Sequence, residues 1–160
     1  MKLQWPFKKH IYNIDGTLYL TRYTLLRLPF LRIRIHHIWT SDDWCLHDHP
    51  WHFMSIIFKG GYTEVTEGEE KMWFRNRWGP FWLPKDIRIK KFYGPGAVLL
   101  RPATFKHRIE LSQIDIGNGH SVPIPAWSLL FMIPTKRDWG IWDGYTFYSH
   151  TGKDLPKCTE

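Results

Sequence analysis

The segment Leu31-Arg32-Ile33-Arg34-Ile35-His36-His37 alternates apolar and polar residues. Side chains two apart on an extended chain share a face, so this period is that of a strand with unlike faces. Similar segments recur. Leu18 to Arg27 is rich in aromatic and aliphatic types, Phe53 to Phe58 is a short apolar run, and Ile87 to Phe92 alternates again. Ala97 to Arg101, Phe105 to Leu111 and Trp127 to Ile133 read the same way. Gly60-Gly61 and Gly94-Pro95-Gly96 are turn signals between them. Tyr62 to Val65 and Lys71 to Trp78 read as two strands turning at Glu67-Gly68. Pro80 and Pro84 read as an irregular connection, and Asp115 to Pro125 as a polar loop. No segment carries an apolar pattern at helical spacing. The expectation is an all-β sandwich or barrel with little helix.

The chain has 160 residues, 43% hydrophobic and 17% aromatic, which is enough for one domain with a packed core. Its organised part is expected at about residues 18–147, with the first and last ten or so residues loosely attached. The formal net charge of +7 is spread in ones and twos, so a nucleic-acid partner is not expected. No apolar run suits a signal peptide or a membrane span. Cys45 and Cys158 are too few for a disulfide framework. A soluble, cytoplasmic protein is expected, and a homodimer is compatible with the sequence.

Function is concentrated in His47-Asp48-His49-Pro50-Trp51-His52, with a further histidine, His107, in a separate strand-like segment. Neutral imidazole is the commonest protein ligand of transition metals. His47 and His49 have the parity to chelate one ion from one face. Strand parity turns His107 inward with Phe105, Ile109 and Leu111. The alternative is a His-rich turn whose rings only hydrogen-bond.

These residues resemble the cupin superfamily, which is marked by two motifs. The first runs from a glycine through His-x-His and a glutamate to a closing glycine. The second holds a glycine, Pro-x-Gly, a histidine and an asparagine. Here His47-x-His49 leads to Gly60-Gly61, and Gly96 leads through Pro102 to His107. The likeness covers roughly residues 31–134. The wording His47-Asp48-His49-Pro50-Trp51, Gly60-Gly61-Tyr62-Thr63-Glu64, His107-Arg108-Ile109-Glu110 and Arg137-Asp138-Trp139-Gly140 resembles a group of small cupin-like proteins of bacteria and phages. For a phage protein the compartment would be the host cytoplasm. Four positions depart from the pattern. Ser41 stands at the opening glycine, Phe53 or Met54 at the glutamate, Thr104 at the Pro-x-Gly glycine and Leu111 at the asparagine.

The resemblance implies a cupin-like β-barrel, a double-stranded β-helix or jelly roll. Without the motif glutamate it implies a three-histidine metal site at His47, His49 and His107. Such a site suits Fe(II) first, and Zn, Ni or Mn also. Some dioxygenase cupins resemble it in using three histidines. The expected function is therefore a small-molecule metalloenzyme, an Fe(II) oxygenase first. A sugar or sugar-nucleotide isomerase or epimerase of the same fold is the alternative. A non-catalytic metal- or ligand-binding module is a third reading.

Other residues carry open readings. His52 is a candidate fourth ligand, catalytic base or exposed residue. Tyr62 and Glu64 are candidate acids or bases. The Arg32, Arg34, His36 face either holds an acidic substrate or is solvated. Cys45 reads as an ordinary buried thiol, and Asp48 as outward-facing or capping a turn. Arg137-Asp138 reads as a mutual ion pair or an anion clamp.

Overall fold

The structure, a computed structural model, describes residues 7–13, 15–76, 79–143 and 146–149. Among these, fourteen strands follow one another: β1 (Phe7–Tyr12), β2 (Leu18–Arg27), β3 (Arg32–Ile38), β4 (Leu46–His47), β5 (Trp51–Lys59), β6 (Tyr62–Asn76), β7 (Gly79–Tyr93), β8 (Val98–Arg101), β9 (His107–Leu111), β10 (Gln113–Gly117), β11 (His120–Pro123), β12 (Ala126–Pro134), β13 (Gly140–Asp143) and β14 (Thr146–Ser149). No helix occurs among the described residues, so no helix long and apolar enough to cross a membrane does either.

Two six-stranded antiparallel sheets carry the structure. One runs β1-β2-β3-β12-β5-β8 and the other β14-β13-β4-β9-β6-β7, with β10-β11 as a separate hairpin. Alternation sets what faces inward. Along β12, Ala126, Ser128, Leu130 and Met132 are buried, and along β5, Phe53, Ser55 and Ile57. Ile57 and Ala126 pack with Leu20, Ile38, Tyr62, Leu99 and Leu111 in one cluster, and Phe53, Leu130 and Met132 form a second with Trp51 against it. Full burial of a side chain such as Ile57 contributes about 1.5–3 kcal/mol. The chain turns from β5 into β6 at Gly60, whose φ is +72. A Cβ there would come within 2.4 Å of the Pro125 carbonyl oxygen, so only glycine fits this close approach.

Four sequence expectations need correction. First, Glu67-Gly68 is no turn: β6 continues to Asn76 and pairs along its length with β7. Trp78 lies outside the described residues. Second, Pro80 and Pro84 stand within β7, an edge strand, where proline is tolerated because no further strand needs its missing N–H. Third, Asp115 to Pro125 is mostly the β10–β11 hairpin. Its central residues Asn118 and Gly119 both have positive φ, 54 and 73, the pattern of a type I′ turn. Fourth, Phe7 to His10 are not loose but pair with β2.

Candidate metal centre

His47 and His107 are register partners on β4 and β9. His49 lies two residues past His47, where the chain leaves that sheet and enters β5 of the other. The three imidazoles converge, each offering a nitrogen, and these atoms lie within 4.8 Å of one another. His49 Nε2 and His107 Nε2 are 2.9 Å apart. Two nitrogens each ~2.1 Å from one ion and roughly at right angles are ~3 Å apart. The donor set therefore fits a divalent metal.

The surroundings prepare the rings to ligate. Burial holds His49 well below its ordinary value, and the neighbouring His47 and His107 rings add to this. Burial also lowers His47, although Asp42 works against it; Asp42 Oδ2 is 3.8 Å from His47 Nδ1. Neutral imidazole is the metal-binding form. His107 Nδ1 is 2.7 Å from Glu64 Oε1. Burial alone would raise the Glu64 carboxyl, but hydrogen bonds from His107 and Arg101 overcome it and hold the group ionised. An ionised carboxylate only accepts, so His107 Nδ1 carries the proton. In the neutral ring Nε2 then keeps its lone pair, the arrangement common around metal-bound histidine. Arg101 in turn grips Glu64 through Nε and Nη2.

The loop carrying His47 and His49 is clamped from behind. Asp48 is fully buried rather than outward. Its Oδ2 accepts from Arg137 Nη2 at 2.8 Å and Trp142 Nε1 at 3.2 Å, and its Oδ1 from the Gly140 N–H at 3.0 Å. Arg137 Nη1 donates to the His49 and Ala103 carbonyls at 3.1 and 2.7 Å. Arg137 thus pairs with Asp48 instead of Asp138 and ties together the segments before β5 and before β9. It is no anion clamp.

Beside the histidines lies a cavity of about 390 Å³, a size suited to a small molecule. Its wall is largely apolar, with Trp51, Phe53, Leu130 and Ile109 among the lining residues. Arg34 and His36 line it, so their face of β3 points inward; Arg32, on the same face, does not line it. Arg22 and Asp42 also line the cavity and were not singled out in the sequence. The signal for Arg22 was its parity with the apolar Leu20. Tyr62 lines the wall too, and burial holds its hydroxyl protonated well above the ordinary range. His52 does not join the cluster. It is exposed, and its Nδ1 accepts the Ala103 N–H at 3.1 Å. Straight-strand parity holds for it, without reversal at Pro50. Cys45 is disulfide-bonded, so it offers the cavity no thiol; Cys158 lies outside the described residues.

No protein-family model and no curated protein matches the sequence. Solved structures do match. A cupin-2 domain protein from Rhodospirillum rubrum superposes with a TM-score of 0.53 at 11% identity, over 89% of this chain and 80% of that one. The DMSP lyase DddQ from Ruegeria pomeroyi DSS-3 gives 0.51 at 12% identity, over 84% of this chain and 59% of that chain. This chain thus spans well under two thirds of the lyase. At these identities the likeness concerns the fold, and the chain has the double-stranded β-helix fold of the cupins.

The half-buried, desolvated histidines are expected to make the metal-free protein acid-labile. Burial, with Arg34 and Arg22 nearby, holds His36 at about 3, and His47 and His49 are lowered as well. In the unfolded chain each titrates near 6.5. Below that value the unfolded state binds more protons, so stability is full above about 6.5 and is lost as pH falls toward 3. Glu64, lowered from 4.5, adds a further loss in the lower part of this window. Urea midpoints of EDTA-treated protein should fall steadily from pH 7 to pH 5. A flat profile would contradict the buried, uncharged rings.

Proposed function

We propose that the protein is a metal-dependent enzyme acting on a small molecule, with Fe(II) held by His47, His49 and His107 and a dioxygenase reaction as its chemistry. The observation that carries this reading is the convergence of three imidazoles on the wall of an apolar cavity. A metal with three protein ligands keeps open positions for dioxygen and substrate. When both oxygen atoms end in the product, all electrons come from the substrate and no second reductant is required.

The chain's own residues supply placement. Glu64 fixes the His107 proton at Nδ1, and Asp48 with Arg137 fixes the His47–His49 loop. Trp51, Phe53, Leu130 and Ile109 give the substrate an apolar wall. Tyr62, kept protonated, can donate a hydrogen bond to a bound oxygen-containing group. The rival readings lose support. Of the candidate bases for an isomerase, Tyr62 is held protonated and Glu64 is engaged by His107 and Arg101, which leaves the His36 ring for that reading. A closed four-ligand structural site would need His52, which faces away.

Protein purified without chelator or affinity tag should contain about one divalent ion per chain, on the expectation for a single three-ligand site. After EDTA stripping, anaerobic reloading with Fe(II), Zn, Ni or Mn, followed by an oxygen electrode and a panel of small organic acids, tests the chemistry. Substrate-dependent oxygen uptake with iron and none with zinc is expected. A protein that takes up no metal, or equal turnover with zinc and iron, sinks the reading.

A further inference from the structure

We infer that Arg22, Arg34 and His36 form a second ligand site in the same cavity, a cradle for a small oxyanion, carboxylate or phosphate. That the oxyanion belongs to the substrate rests on the metal reading above; the anion binding itself does not.

The register builds the cradle. Arg22 on β2 and Ser128 on β12 both stand opposite His36 on β3. Arg34 is the next inward residue along β3. All four line the cavity. Arg34 is 7% exposed, yet its Nε and Nη1 are buried without a hydrogen-bond partner, as is Nε2 of His36. Buried donors are ordinarily satisfied, and a buried charge without a partner is costly. Among the described residues no carboxylate offsets this one: the charges acting on Arg34 are Arg22, Arg32 and Arg27. The contrast within the molecule is clear, since Arg101, Arg108 and Arg137 each hold a carboxylate, on Glu64, Glu110 and Asp48. Arg27 and Arg32, paired at the end of the same hairpin, add positive potential without lining the cavity. An oxyanion in the cavity would supply the missing countercharge, accepting from the Arg22 and Arg34 guanidinium groups and from the Ser128 hydroxyl where they line it.

Trp51 links the cradle to the metal centre. The Arg34 guanidinium lies over its ring, 5.7 Å from the centroid. The same ring stacks on His49 at 5.6 Å. A ligand with an oxyanion at one end, a short apolar body along Trp51 and Leu130, and metal-binding atoms at the other end matches this order of surfaces.

The test uses the full chain, with thermal shift and calorimetry against inorganic phosphate and, separately, acetate. Metal-loaded and EDTA-stripped protein are compared. At least one anion is expected to raise the Tm of stripped wild type, and which one does so separates phosphate from carboxylate. Arg34→Met should weaken this anion at least about tenfold. Its ligand-free Tm should exceed that of wild type, because an uncompensated buried charge is gone. Arg88→Gln, exposed on β7 of the other sheet and away from the cavity, should bind as wild type. Should Arg34→Met not fold, Arg22→Gln carries the same comparison. Wild type binding neither anion, or Arg34→Met binding as wild type, overturns the cradle. Anion binding that needs metal and ignores Arg34→Met would place the anion on the metal, overturning the cradle but not the metal reading. Anion binding by a wild type that takes up no metal under any loading condition would uphold the cradle while the metal reading falls.

Discussion

His107→Ala is expected to abolish metal binding, and Glu64→Gln to weaken it by about 10–100-fold. The two changes act at different distances. His107 offers a ligand nitrogen, and its loss leaves two imidazoles of the three that converge. Affinity should then fall by more than the ~100-fold upper bound for a supporting partner. Glu64 offers the site nothing directly. It holds the His107 proton at Nδ1 and is itself held by Arg101. Glutamine keeps the shape and one acceptor but removes the charge that makes His107 a stronger ligand. Its variant should bind metal stoichiometrically at high concentration and release it more readily to a chelator. Competition titrations with a chromogenic chelator separate the cases. Equal affinity of wild type and His107→Ala would refute the site, and equal affinity of wild type and Glu64→Gln would confine Glu64 to a structural role.

Much of this arrangement was legible in the chain. Aromatic and aliphatic content marks β2 at its observed bounds, and alternation marks β3 within a residue. The convergence of His47, His49 and His107 was legible because residues that gather at one point must share a face, and parity reports faces. Long-range register is what a local pattern does not carry. Nothing near Arg22 says that it lies opposite His36, since that follows from the β2–β3 pairing. Pro80 and Pro84 look like breakers until β7 is known to be an edge strand. Asp48 looks like a solvated turn residue, and its burial depends on Arg137 and Trp142, about ninety positions away. The Asn118-Gly119 hairpin is a different case, a local signal present in the sequence and passed over.

Asp48→Asn should cost about 1–3 kcal/mol of folding stability, the range for leaving a buried polar group unsatisfied, because the half-buried Arg137 keeps part of its solvation. Both carboxylate oxygens of Asp48 accept hydrogen bonds: Oδ2 from Arg137 and Trp142, Oδ1 from the Gly140 N–H. Asparagine has the same outline, but one of its two positions must be an NH₂ group. Whichever way the amide turns, a donor then faces a donor in a fully buried place. The Arg137 guanidinium also loses its countercharge while still tied to the His49 and Ala103 carbonyls. For a domain with about 5–15 kcal/mol in total, this is a large share. Because Asp48 lies between two of the three converging histidines, metal affinity should fall together with stability. Urea denaturation of stripped protein measures the first effect, and chelator competition the second. Adding Arg137→Met removes the stranded charge, so the double variant should lose less than the two single losses combined. An Asp48→Asn protein within about 0.5 kcal/mol of wild type would mean that this carboxylate does not brace the loop.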